Sequence, residues 1–205
     1  MRSDLTSDIV HLTGEHLTLV GISMAIAIVL GIPLGILIAR KPAARRWILG
    51  LTSIVQTIPS LALFGFLIPI PLIGGIGKRT VIVALVLYGL LPILRNTFVG
   101  ILGVDPAVCD SAVAMGMTDG QLLRQVQLPL AARTILAGIR VATVTTVGTA
   151  TIAAAIGGGG LGVFIFRGVA SVDTAQILAG AIPAALIALL ADGALGWLER
   201  KLSPA

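Results

Sequence analysis

Arg140 and Asp192 each lie within a long apolar run. A charge in such surroundings requires an opposite charge or water, so an ion pair between them is the expected chemistry. Two other polar groups share this setting. One is Gln56-Thr57-Ile58-Pro59-Ser60, an amide beside a helix-kinking proline. The other is a run of threonines, Thr143, Thr145, Thr146, Thr149 and Thr151. Polar side chains in hydrocarbon are expected to face protein or a water-filled path. Gln56, Thr57, Pro59, Ser60, Thr145, Thr146 and Thr149 are therefore candidates to line a route for a polar solute. The competing reading is a packing face, because threonine hydroxyls can bond to the carbonyls of the preceding turn.

Covalent and metal chemistry find little support. His11 and His16 are five apart in the polar N-terminal segment, complete no metal-ligand cluster, and are expected to be solvated. Cys109 is the single cysteine, so no intrachain disulfide forms. With no evident basic neighbour to activate it, it reads as a small packing residue. Gly157 to Gly160, followed by Leu161-Gly162, are not followed by Gly-Lys-Ser/Thr and no strand precedes them, so they form no phosphate loop. They suit a tight turn at an outer mouth, with a re-entrant segment through Phe164 and Phe166. No nucleophile–base pair is present. The chain is read as a non-enzyme that binds no cofactor or metal.

The elements that hold these residues follow from composition. The chain has 205 residues, 57% hydrophobic and 11% charged, whereas soluble domains carry roughly a quarter charged. The expected fold is an all-α membrane protein with five or six transmembrane helices, the spans near 17–39, 47–70, 80–102, 131–156 and 174–198, each long enough for a hydrocarbon core of roughly 30 Å. The acidic start, with Asp4, Asp8 and Glu15 against Arg2, lacks the charge of a signal peptide. The pI near 10.4 reflects basic residues in short loops, not nucleic-acid binding. With the N-terminus outside and the C-terminus cytosolic, Arg40, Lys41, Arg45, Arg46, Arg95, Arg124, Arg133, Arg200 and Lys201 fall on inner flanks. Only Arg2, Lys78, Arg79 and Arg167 fall outside, as the positive-inside rule prefers. Small residues recur every fourth position, as in Ala27, Gly31, Gly35 and Ala39, and let helices pack closely in lipid.

One stretch breaks the apolar pattern, residues 103–130. Asp105-Pro106 opens a short helix, Gly116 ends it, Thr118 and Gln121 form a capping box, and Pro129 is expected to keep the second helix from running on unchanged. Ala107, Ser111 and Ala114 share one face of the first helix. Small side chains there suit a knob gripped by another protein's groove. The spacing Asp110-Ser111-Ala112, three residues, Gly116, nine residues, Val126-Gln127-Leu128-Pro129 resembles the coupling loop of bacterial ATP-binding-cassette importer permeases. Their pattern is Glu-Ala-Ala, three residues, Gly, nine residues, Ile-x-Leu-Pro. Asp110, Ser111 and Val126 depart from it conservatively.

That resemblance implies one transmembrane permease domain over 1–205 in the bacterial plasma membrane, with membrane lipid around it. Its cytosolic loop 103–130 docks on an ATPase dimer, and ATP and magnesium are bound by that ATPase. A second permease, identical or paralogous, and an extracytoplasmic solute-binding protein complete the complex. Asp110, Ser111, Ala112, Gly116, Val126, Leu128 and Pro129 would form the coupling site. Gln56 to Ala62, Leu90 to Thr97 and the glycine-rich run into Phe164 to Gly168 are similar to the osmoprotectant branch, which imports glycine betaine, carnitine, choline or proline betaine. The chain has five Phe, two Trp and one Tyr, scattered along its length and unsuited to an aromatic cage for a quaternary ammonium. Selectivity is therefore expected in the binding protein. The rival readings are the same machine carrying methionine or a sulfur-containing betaine, and an ATP-independent transporter or channel.

Overall fold

The computed structural model describes residues 2–71 and 73–202, with side-chain surroundings from Ser7 onward. Among these residues every regular element is helical. Four helices are long and apolar enough to cross a membrane, or five if one bent pair counts as a span.

Helix α1 runs Arg2–Arg40, well beyond the expected 17–39. The polar N-terminal segment contains no proline, so the helix continues through it. This extension overturns one expectation. His16 is not solvated but fully buried, and neither ring nitrogen has a hydrogen bond of good geometry. It shares a stripe with Leu19, Val20, Ser23, Met24 and Ala27, all buried on one helical face. The small residues further along bring α1 against α4 (Lys78–Leu102). A Cβ on Gly31 would stand 2.8 Å from Ile93, and one on Gly35 2.5 Å from Thr97. Helix α4 is the centre of the molecule, with Val81, Ala84, Leu85, Ile93 and Leu94 wholly buried.

The expected second span, 47–70, is not one helix. It consists of α2 (Pro42–Thr57) and α3 (Ser60–Leu67), bent by 106° at Ile58-Pro59. Proline disfavours the helical conformation in the residue before it, and Ile58 is extended, with φ −75° and ψ 125°. The freed polar groups find partners on α4: the Tyr88 hydroxyl donates to the Ile58 carbonyl, and the Gln56 amide donates to the Tyr88 carbonyl at 3.0 Å.

Helix α5 (Pro106–Ala114) and a single turn α6 (Asp119–Gln121) follow. A π-helical segment, Leu122–Gln127, leads into α7 (Leu128–Ala150), which tightens into a 3-10 helix over Thr151–Ile156. From Asp119 to Ile156 this is one rod of 38 residues. Pro129 therefore does not separate loop from span. A π-helical turn widens the backbone and shifts its hydrogen bonds to i→i−5, so a proline just beyond it loses little. On the rod, Gly138 admits α4: its Cβ would meet that of Asn96 at 2.5 Å.

Helix α8 (Gly162–Ser171) has ten residues and at about 15 Å is too short to span. It packs on the final helix, α9 (Thr174–Lys201). The glycine run before α8 receives the N-terminal part of α1. Glu15 accepts from the Gly160 N–H at 3.2 Å and pairs with Lys78 at 2.7 Å. A Cβ on Gly159 would lie 2.3 Å from that carboxylate.

Candidate functional site

The 103–130 segment is built on its caps. The Asp105 carboxylate accepts from the Ala107 N–H at 2.9 Å, with Pro106 at the first position of α5. Gly116 ends α5 with φ +86°, and the Met117 N–H closes on the Ala112 carbonyl at 3.2 Å. Thr118 and Gln121 exchange both bonds of a capping box. Three anchors hold the segment to the bundle. Ala112 is buried. Leu123 and Leu128 pack on Ile101, Ala131 and Ile135. Arg40, at the end of α1, donates to the Asp119 carbonyl at 2.7 Å.

What remains free is a knob. Asp110 and Ser111 are exposed, as are Ala107 and Ala114. Val113 and Met115 stand 54% and 74% exposed, apolar surface outside any long apolar helix and of the kind that marks an interaction site. Cys109 is half-buried against Gln127. Val126 and Leu128 are half-buried and Pro129 exposed, all three on the rod and not in an open loop. The seven residues expected to form the coupling site therefore divide into a knob at α5 and a stem leading into α7.

The polar residues inside the apolar helices are not gathered into one lining. Gln56, Thr57, Pro59 and Ser60 cluster at the α2–α3 break, and the Thr57 hydroxyl is spent on the Ile54 carbonyl. Thr146 is fully buried in the core, its hydroxyl unpartnered, against Gly89. Thr149 is half-buried and Thr145 exposed. Successive residues on a helix are about 100° apart, so Thr145 and Thr146 cannot share a surface. Thr143 and Thr145 donate to carbonyls one turn back.

Thr145 lies instead with the charges. Arg140 grips Asp192 by both carboxylate oxygens, Nε at 2.6 Å and Nη2 at 2.7 Å, and reaches Glu199 at 3.4 Å. Arg133 stands 3.7 Å from the same Glu199. Charges thus alternate along the α7–α9 seam. Buried Gly196 makes this possible, since a Cβ there would be 3.0 Å from the Arg140 guanidinium. Sequence reasoning missed Glu199, although it lies two turns beyond Asp192 on the same face. It also missed the Glu15–Lys78–Gly160 contact, for which the sequence carries no local signal.

Residues 31–204 match the family described as the binding-protein-dependent transport system inner membrane component. The chain belongs to this family. Among its relatives, the chain is 51% identical over 179 residues to the glycine betaine/carnitine/choline transport system permease protein OpuCD of Bacillus subtilis (strain 168), covering 87% of this chain and 77% of the relative. It is 48% identical to the carnitine transport permease protein OpuCD of Listeria monocytogenes serotype 1/2a (strain 10403S), covering 93% and 84%. It is 42% identical to the osmoprotectant import permease protein OsmW of Salmonella typhimurium (strain LT2), covering 94% and 91%. Among solved structures, an inward-facing form of the MetNI methionine ABC transporter superposes with a TM-score of 0.90 at 22% identity, over 100% of both chains. That likeness concerns the fold. As a member of this family the permease is a multi-helix inner membrane transport component and not an enzyme.

Proposed function

We propose that this permease is the membrane-spanning subunit of an ATP-driven importer for a compatible solute: glycine betaine, carnitine, choline or proline betaine. The observation that carries the reading is the 51% identity, across 87% of the chain, to a permease named for three of those solutes. The N-terminus is outside and the C-terminus cytosolic, so residues 103–130 meet the cytosol. There a separate ATPase dimer, which binds ATP and magnesium, grips the knob around Asp110, Ser111, Ala112 and Gly116. The stem through Val126, Leu128 and Pro129 passes its movement to α7. A second permease, identical or paralogous, completes the passage, and a binding protein delivers the solute from outside. ATP-driven closure biases the equilibrium between inward- and outward-open bundles. Gln56, Thr57, Pro59, Ser60, Thr145, Thr146 and Thr149 contribute polar groups at the break and along α7, with Thr146 acting from within the core.

The test is uptake of radiolabelled glycine betaine, carnitine and choline by proteoliposomes holding the permease with its ATPase and binding protein. Uptake that needs internal ATP and is competed by these solutes is expected. Uptake that continues without ATP overturns the coupling reading, and exclusive uptake of methionine overturns the solute.

A further inference from the structure

The seam between α7 and α9 holds a cavity of about 400 Å³, lined by Arg140, Asp192, Glu199, Thr145, Val141 and Val144. Its charges are not sealed. The side chains of Arg140 and Asp192 are 35% and 40% exposed, and Glu199 is 19% exposed. Charged side chains within a spanning helix face the bundle interior or a water-filled cavity rather than lipid. The bonding of Arg140 leaves capacity to spare. Of its five N–H donors, Nε and one of Nη2 are committed to Asp192, while Nη1 has only the 3.4 Å contact to Glu199. The cavity therefore offers guanidinium donors that match a carboxylate, beside two carboxylates that favour a positive group. Apolar Val141 and Val144 share the lining, suited to methyl groups.

We propose that this cavity is a low-affinity subsite for a zwitterionic quaternary ammonium solute, with Arg140 taking its carboxylate and Asp192 and Glu199 facing its ammonium. The subsite rests on the compatible-solute reading above and deepens it. The solute exchanges partners with an existing ion pair, so both charged ends leave water without a net charge being buried. Weak holding follows, because Asp192 competes with the solute for Arg140, and weak holding is what a passage needs.

Choline has the ammonium but no carboxylate, and this separates a ligand from a structural strut. Uptake of glycine betaine and of choline is measured at saturating concentrations in proteoliposomes holding the complete complex. Arg140→Gln is expected to lower the ratio of glycine betaine to choline uptake roughly tenfold, the size of one charge-assisted contact, and Arg140→Lys to restore much of it. An equal fall for both solutes makes Arg140 a tie between α7 and α9 and overturns the subsite. Should Arg140→Gln fail to assemble, the neutral pair Arg140→Gln/Asp192→Asn reads the same ratio without stranding a carboxylate. Wild-type complex that moves none of glycine betaine, choline, carnitine and proline betaine removes the compatible-solute reading and the subsite with it. Wild-type complex that moves both with the ratio unchanged in the variants removes the subsite alone.

Discussion

The carboxylate of Glu15 occupies the space where a Cβ at position 159 would stand, and residue 159 itself has φ +80°. The left-handed backbone is the main cost at that glycine, since the 2.3 Å collision is with the end of a flexible side chain that can swing aside at the expense of its own bonds. The ion pair resting on it is weaker, because Lys78 is 57% exposed and exposed pairs contribute little. Gly159→Ala is therefore expected to destabilise the purified permease by about 1–3 kcal/mol, against less than about 1 kcal/mol for Glu15→Gln. Thermal unfolding in detergent ranks the two, and a larger loss for Glu15→Gln would refute this ordering. At this scale the sequence was uneven. Arg140 and Asp192 could be paired on paper because the cost of a charge in an apolar run needs no coordinates. His16 could not be placed, because its burial depends on α1 continuing through residues polar enough to look like a tail.

Between α2 and α3 the chain turns by 106°, and Tyr88 holds the turn by donating to Ile58. Tyr88→Phe leaves that carbonyl without its partner, expected to cost about 1–3 kcal/mol and to show as a lower midpoint of thermal unfolding with insertion unchanged. In α5 the critical point is its end. A β-branched residue is a conformational outlier at positive φ, so Gly116→Val at φ +86° misplaces the knob. ATP-dependent uptake is expected to fall at least tenfold while the protein still reaches the membrane, as read by transport assay and membrane fractionation. Pro59 announced a kink in the sequence, but not its angle, which is held by bonds that join Ile58 and Gln56 to Tyr88 on another helix. Pro129 announced that the helix would not run on unchanged, but not the form of the change: a π-helical turn is decided by backbone register and leaves no residue pattern to read. The caps at Asp105, Gly116 and Thr118 were legible because each is a local rule satisfied within four residues.

For the molecule as a whole, composition and charge led to five or six expected spans, against four among the described residues or five with the bent pair, and to a proposed orientation, and the family places it in the inner membrane. Sidedness is open to direct measurement. In a Cys109→Ser background, Met115→Cys and Val172→Cys put single thiols at positions 74% and 89% exposed. An impermeant thiol reagent added to intact spheroplasts is expected to label position 172 and to reach position 115 only in inside-out vesicles. The reverse pattern would place the knob outside and refute coupling through it.

The uninterrupted run from Asp119 to Ile156 has a mechanical consequence. Thirty-eight residues at 1.5 Å each give an arm about 57 Å long. A tilt of about 5° at its foot sweeps the far tip by about 5 Å, close to one helical pitch. A displacement at its foot that barely disturbs the packing around Leu128 is thus amplified by leverage alone where the glycine run begins.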